Sequence, residues 1–261
     1  MSDIEAIVEW YLLSGVEDFC ADKPMNVLQP AETPAAKAQN PATVENDAVR
    51  PAITPLSQIN MAASRNAEEL CQKAQTLDDL KAMVENFDGC SLKFSASSTV
   101  FGYGNPQAEV LIIGEAPGSD EDRLGEPFVG KSGQLLTKML QTIGLNRHDC
   151  YITNILPWRP PGNRTPTDEE IVTCLPFLKR QIELVNPKII FILGRSAANA
   201  LLDNNESISS LRGHFIDYTT EKGKVIPTLS SFHPAYLLRT AAQKAKSWSD
   251  LLRLKRKLEE I

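Results

Sequence analysis

The sequence predicts an α/β fold, a three-layer α/β/α sandwich around a central, mainly parallel four-stranded sheet. Three observations predict it. Four apolar, β-branched runs, AEVLII (108–113), CYITNIL (150–156), KIIFILG (188–194) and VIPTLSSF (225–232), lack the polar alternation of a strand with one wet face. Helical patterns separate them, as crossovers between parallel strands require. Each run also ends in a loop rich in polar or aromatic groups, and open parallel sheets hold their ligands beyond the carboxyl ends of their strands.

The elements follow in order. Residues 3–16 place Ile4, Ile7, Val8, Tyr11 and Leu12 on one face, a short amphipathic helix within an N-terminal helical segment, residues 1–23. Residues 24–60 scatter six prolines among Ala, Asn and Thr, too little apolar surface to offset the entropy of ordering, so a Pro/Ala-rich disordered linker is expected. A helix around 66–85 opens the folded domain, residues 61–261. Beyond it AEVLII is the first strand, GQLLTKMLQTIG a helix and CYITNIL the second strand. The stretch from Thr167 to Leu184 is a helix, KIIFILG the third strand, SAANALL a helix and VIPTLSSF the fourth strand.

Composition narrows the function classes. The chain of 261 residues is 42% hydrophobic, enough for one substantial core. Its net charge of −6 would argue against nucleic acid, but residues 1–60 hold nine acids against three bases and so carry all of it. The remaining chain is balanced. Five cysteines with no CxxC pair suit reduced thiols and a cytoplasmic protein. The start, MSDIEAIVEW, has no basic n-region or long apolar stretch, and no run reaches the roughly 18–20 apolar residues of a membrane span, so no membrane partner is expected.

The four strand-end loops are GEAPGSDED (114–122) with GEPFVG (125–130), TNILPWRPPGNR (153–164), GRSA (194–197) and SFHPAYLLR (231–239). The first lacks a P-loop lysine and the GxGxxG spacing, and its carboxylates would repel a phosphate. It suits a neutral, polar ligand beside developing positive charge.

GEAPG, PFVGKSGQLL, YITNILPWRPPGNRTPT and HPAYLLR, recurring in that order over roughly residues 86–258, resemble the family 4 uracil-DNA glycosylases. The resemblance implies a monofunctional enzyme that hydrolyses the N-glycosidic bond of deoxyuridine in DNA and so initiates base-excision repair. The chemistry suits the residue types. The target base must leave the stack, and bond cleavage leaves positive charge on the sugar and negative charge on uracil.

By the same resemblance, His233 donates to O2 of uracil and Asn154 pairs with O4 and N3–H. Phe128 stacks on the base. Glu115 holds the attacking water, while Glu121 lies near the C5 edge, where it helps exclude thymine. Gly114 and Ala116, with Pro117 and Gly118, shape the turn around the base. Leu237 or Leu238 fills the gap left by the extruded nucleotide. Arg159, Asn163, Arg164 and Arg239 contact the DNA backbone, supported by a net +6 between His233 and Leu258. The pocket motifs offer no obvious catalytic lysine, so strand cleavage is not expected. The surroundings of His148 and His214 suggest surface positions.

One family feature is broken. Family 4 enzymes typically carry a [4Fe–4S] cluster on four cysteines, and the matching positions here read Phe87, Cys90, Trp158 and Cys174. Neither Phe nor Trp can ligate iron, so the sequence predicts no cluster and no other cofactor, with Cys90 and Cys174 as remnants. Two further readings stay open: a catalytically silent nucleic-acid-binding module of the same fold, and a small-molecule nucleosidase. The chain is expected to act as a monomer on uracil-containing DNA, its N-terminal segment available to a repair partner.

Overall fold

The computed structural model describes residues 61–261. The expected helix at 3–16 and linker at 24–60 lie outside the described residues. The chain runs through α1 (Met61–Lys73), α2 (Leu77–Glu85), β1 (Tyr103–Gly104), β2 (Val110–Gly114), α3 (Ser119–Leu124), α4 (Lys131–Thr142), β3 (Tyr151–Asn154) and α5 (Asp168–Val185). It continues through β4 (Ile189–Leu193), α6 (Arg195–Leu202), α7 (Ile208–Leu211), β5 (Phe215–Thr219), β6 (Val225–Ser231), α8 (Pro234–Arg239) and α9 (Lys244–Glu259). Among the described residues no helix is long and apolar enough to cross a membrane.

The sheet is six-stranded, in the order β1-β3-β2-β4-β6-β5. Its inner four strands are parallel and match the four expected runs. The expected count of four is corrected to six by antiparallel strands at both edges. They escaped the sequence reading for physical reasons. β1 is only two residues long, and β5 reads FIDYT, largely exposed, without the continuous apolar run that marks a strand buried on both faces.

Neighbouring residues of the inner strands serve opposite layers. Leu111 and Ile113 join the core formed with α1, α2, α5 and α6, while Val110 and Ile112 join the core formed with α4, α8 and α9. β4 divides likewise, Ile190 and Ile192 to one side and Phe191 and Leu193 to the other. Burying each such side chain stabilises by about 1.5–3 kcal/mol, and a one-residue slip would exchange both faces at once. The three-layer architecture follows from that pattern.

The helix expected at 66–85 is two helices. Thr76 starts the second one, its Oγ1 accepting from Asp79 N–H at 3.1 Å while the Asp79 carboxylate accepts from Thr76 N–H at 3.0 Å. The same box opens α5, with Thr167 and Glu170 as its members. This helix ends at Asn186, which is left-handed at φ 53°, just before Pro187.

Strand register sets the site. Gly114 pairs with Asn154, so the loops leaving β2 and β3 start side by side. Gly194 N–H donates to Ser231 O at 2.9 Å and draws in the loops after β4 and β6.

Candidate active site

A cleft of about 600 Å³ opens at these carboxyl ends. Glu115, Ala116, Glu121, Phe128, Asn154 and His233 all border it, so the expected base-binding groups converge from separated stretches of chain. Gly114 lies beneath them. A Cβ there would stand 2.5 Å from Phe128 Cζ and collide with Asn154 Oδ1, so only glycine lets the ring and the carboxamide approach this strand end. Asn154 is buried, which makes any unmatched hydrogen-bonding group on it costly.

The Phe128 ring lies with its centroid 5.6 Å from that of His233, the planes tilted by 32°. The residue adopts φ 55°, a left-handed conformation that side chains other than Gly, Asn and Asp rarely take. Glu121 supports this loop. Its Oε1 accepts from Val129 N–H at 3.0 Å and Gly130 N–H at 2.9 Å, and its Oε2 accepts from Gly118 N–H at 3.1 Å. The carboxylate expected at the C5 edge of the base thus staples GEAPG to GEPFVG. Asp122 is also buried, accepting from Ser97 N–H at 2.8 Å and Ser98 N–H at 3.2 Å.

His233 caps α8, and its Nδ1 accepts from Ala235 N–H at 3.2 Å. That hydrogen bond assigns the ring proton to Nε2, leaving a donor for the cleft. Burial, reinforced by the Arg239 charge, lowers the pKa of His233 to about 4, so the imidazole is neutral at pH 7. Burial also raises the pKa of Glu115, partly countered by a hydrogen bond with the Ser196 side chain. Its carboxylate is a better proton acceptor than an ordinary one.

The groups expected to touch DNA divide. Arg239, Asn163 and Arg164 border the cleft. Arg164 is turned to Glu170, whose Oε2 accepts from its Nη1 at 2.9 Å. Arg159 does not border the cleft; its Nε donates to Asn163 Oδ1 at 2.7 Å, and its Nη1 is 3.9 Å from the Asp122 carboxylate. It holds the WRPPGNR loop together. Leu237 is corrected outright: it is 0% exposed in the core with α4 and α9, whereas Leu238 is 48% exposed. Of the two, only Leu238 reaches the surface. His148 and His214 are exposed as expected.

Lys131, Ser132 and Tyr236 also border the cleft and were not singled out in the sequence. The first two were legible in GKSG at the start of a helix, the third inside HPAYLLR. Ser196 sits in the GRSA loop, but its action on Glu115 was not legible there, and Arg147, which holds the Phe128 loop, carried no signal, because both contacts span long stretches of chain.

Phe87, Cys90, Trp158 and Cys174 are all buried in the same apolar core. Phe87 meets Phe177 edge to face at 5.0 Å, and Trp158 Nε1 donates to Thr99 Oγ1 at 3.1 Å. The neighbouring Cys90 thiol, together with burial, holds Cys174 well above its ordinary pKa. Two thiols and two aromatic rings do not fit a cubane cluster, which takes four ligands. Among the described residues no group of three or more His, Cys, Asp or Glu could hold a metal ion.

Residues 101–252 match the family model described as the uracil DNA glycosylase superfamily. The type-4 uracil-DNA glycosylase of Thermotoga maritima is 41% identical over 67% of this chain and 89% of its own length. That of Archaeoglobus fulgidus is 43% identical over 63% and 84%, and that of Pyrobaculum aerophilum 38% identical over 67% and 91%.

Proposed function

This chain belongs to the uracil-DNA glycosylase superfamily, with the type-4 enzymes, and from that premise we propose how its cleft releases uracil from DNA. The convergence of Phe128, Asn154, His233 and Glu115 on one cleft carries the reading. The extruded uracil stacks on Phe128 and presents O4 and N3–H to the Asn154 carboxamide. Cytosine reverses that donor–acceptor pattern and leaves buried groups unpaired, a discrimination of about 10⁴-fold at such sites.

The bond between N1 and C1′ breaks with its electron pair leaving on uracil. The neutral imidazole of His233 donates from Nε2 to the O2 on which that charge gathers. Glu115 accepts the proton of the water that adds to C1′, and its negative charge faces the cationic sugar. Arg239 and Lys131 at the rim, with Arg164 and Asn163, hold the backbone, and Leu238 occupies the vacated stack.

Type-4 enzymes use a [4Fe–4S] cluster; we infer that this enzyme works without one, because Phe87 and Trp158 fill two ligand positions. The buried free thiols of Cys71, Cys90, Cys150 and Cys174 support a cytoplasmic protein, and we take it to act as a monomer. A uracil-containing single-stranded oligonucleotide, followed by alkaline cleavage of abasic sites, tests the function. Product should form and fall by about 10²–10³-fold in His233→Ala, the usual loss of an oxyanion donor. Asn154→Ala should lose at least as much. Binding without product would instead indicate a silent module, and release from free deoxyuridine alone a nucleosidase.

A further inference from the structure

The backbone of Phe128 needs support from outside its own loop. Its φ of 55° costs about 1–3 kcal/mol for such a residue and persists only where the surroundings over-determine it. Glu121 holds the N–H groups that follow. The carbonyls are held by a residue far along the chain: Arg147 Nη1 donates to Phe128 O at 2.8 Å, and its Nη2 donates to Pro127 O. A guanidinium is a rigid fork, so two donors on two consecutive carbonyls fix the relative orientation of the two peptide planes that flank Phe128, and with it the φ and ψ of that residue.

Arg147 is itself fixed. Its guanidinium carbon lies 4.8 Å from the centroid of the Tyr103 ring in β1, and the Tyr103 hydroxyl is 2.7 Å from His148 Nδ1. Gly133, in the first turn of α4, has no room for a Cβ beside the Phe128 carbonyl and closes the remaining side. The loop is thus clamped through its N–H groups by one charged side chain and through its carbonyls by another.

We propose that Arg147 is the positioning residue of the base-stacking platform: by holding the Pro127 and Phe128 carbonyls it sets the plane of the Phe128 ring against the extruded uracil. Arg147 does not border the cleft, so it acts through Phe128. The proposal rests on the reading of Phe128 as the stacking partner.

A double-mutant cycle on the uracil oligonucleotide tests it, with kcat and KM measured separately and Tm followed in parallel. Phe128→Ala should lower kcat/KM by about 5–150-fold, the range for base–aromatic stacking. Arg147→Ala should lower it by about 10-fold, chiefly through KM, since stacking acts in the bound ground state as well as the transition state. In the Phe128→Ala background the same change should cost less than about 2-fold, because the ring it serves is gone. Arg147→Lys, which keeps the charge but places its donors on a single nitrogen, should fall between, and it runs the cycle if Arg147→Ala does not fold.

Losses that multiply across the cycle would assign Arg147 a role in the fold at large and overturn the proposal. So would an Arg147→Ala enzyme with unchanged kcat/KM. If Phe128→Ala itself costs nothing, the stacking reading fails and takes this one with it; an impaired Phe128→Ala beside an intact Arg147→Ala removes this one alone.

Discussion

The hydrogen atom that Gly114 carries in place of a side chain leaves room for Phe128 and Asn154 to meet at the end of β2. Gly114→Ala should therefore move both, and because an ångström of misplacement can cost about 10²-fold, kcat/KM should fall by that order. Thermal unfolding should change less, since the collision lies at the cleft. An active Gly114→Ala enzyme would show that the two groups need not sit so close. Ionisation gives a second test. Glu115 must be charged to accept a proton, and burial raises its pKa, so kcat/KM should decline with falling pH above the ordinary carboxylate range of about 4.3. His233, with its pKa lowered to about 4, keeps one charge state through neutral pH and should add no limb near 6.5. A profile from pH 4.5 to 9, repeated on Glu115→Gln, should show the acid limb disappear. At this scale the pocket was legible because its side chains sit in contiguous motifs. The tasks of Glu121 and Arg159 were not, because each depends on partners that only the folded chain supplies.

Adjacent helical residues point about 100° apart, and α8 uses that angle to separate two leucines whose tasks the sequence left open. Leu237 turns into the core while Leu238 faces solvent. Leu237→Ala should lower stability by about 2–5 kcal/mol through the cavity it leaves, and lose activity only as the protein unfolds. Leu238→Ala should leave Tm nearly unchanged and slow uracil release more from duplex than from single strands, which have no stack to refill. Equal effects on both substrates would remove the wedge. The helix was legible in HPAYLLR, but its phase was not, since one turn of sequence gives no periodicity from which to choose the buried face. The edge strands failed for a related reason: β1 and β5 carry too little apolar patterning to stand out from loop, and pairing with β3 and β6 makes them strands.

Across the whole molecule, the four positions that the sequence matches to the family's cluster ligands are part of the larger apolar core. Phe87, Trp158, Cys90 and Cys174 pack with residues of α1, α2, α5 and α6 on the same side of the sheet. Trp158 begins the loop that carries Asn163 and Arg164, so packing of its indole, with its N–H on Thr99, anchors that rim of the cleft. The residue types at these four positions were legible in the sequence; the packing around them was not, because Phe177 and Thr99 become partners of Phe87 and Trp158 only in three dimensions. Gly89 matters here because a Cβ would run into the Phe87 ring. If aromatic packing has taken over the structural task of the metal, stability should depend on the rings and be indifferent to iron. Phe87→Ala should cost about 3–5 kcal/mol, which for a domain of this size lowers Tm by roughly 6–20 °C. Prolonged incubation of the full chain with a strong iron chelator should leave Tm and uracil release unchanged, and metal analysis of protein purified without oxygen should find no stoichiometric iron. A chelator-dependent fall in Tm, or broad visible absorbance with bound iron, would mean that ligands other than this quartet hold a cluster, and the packing account would fail with it.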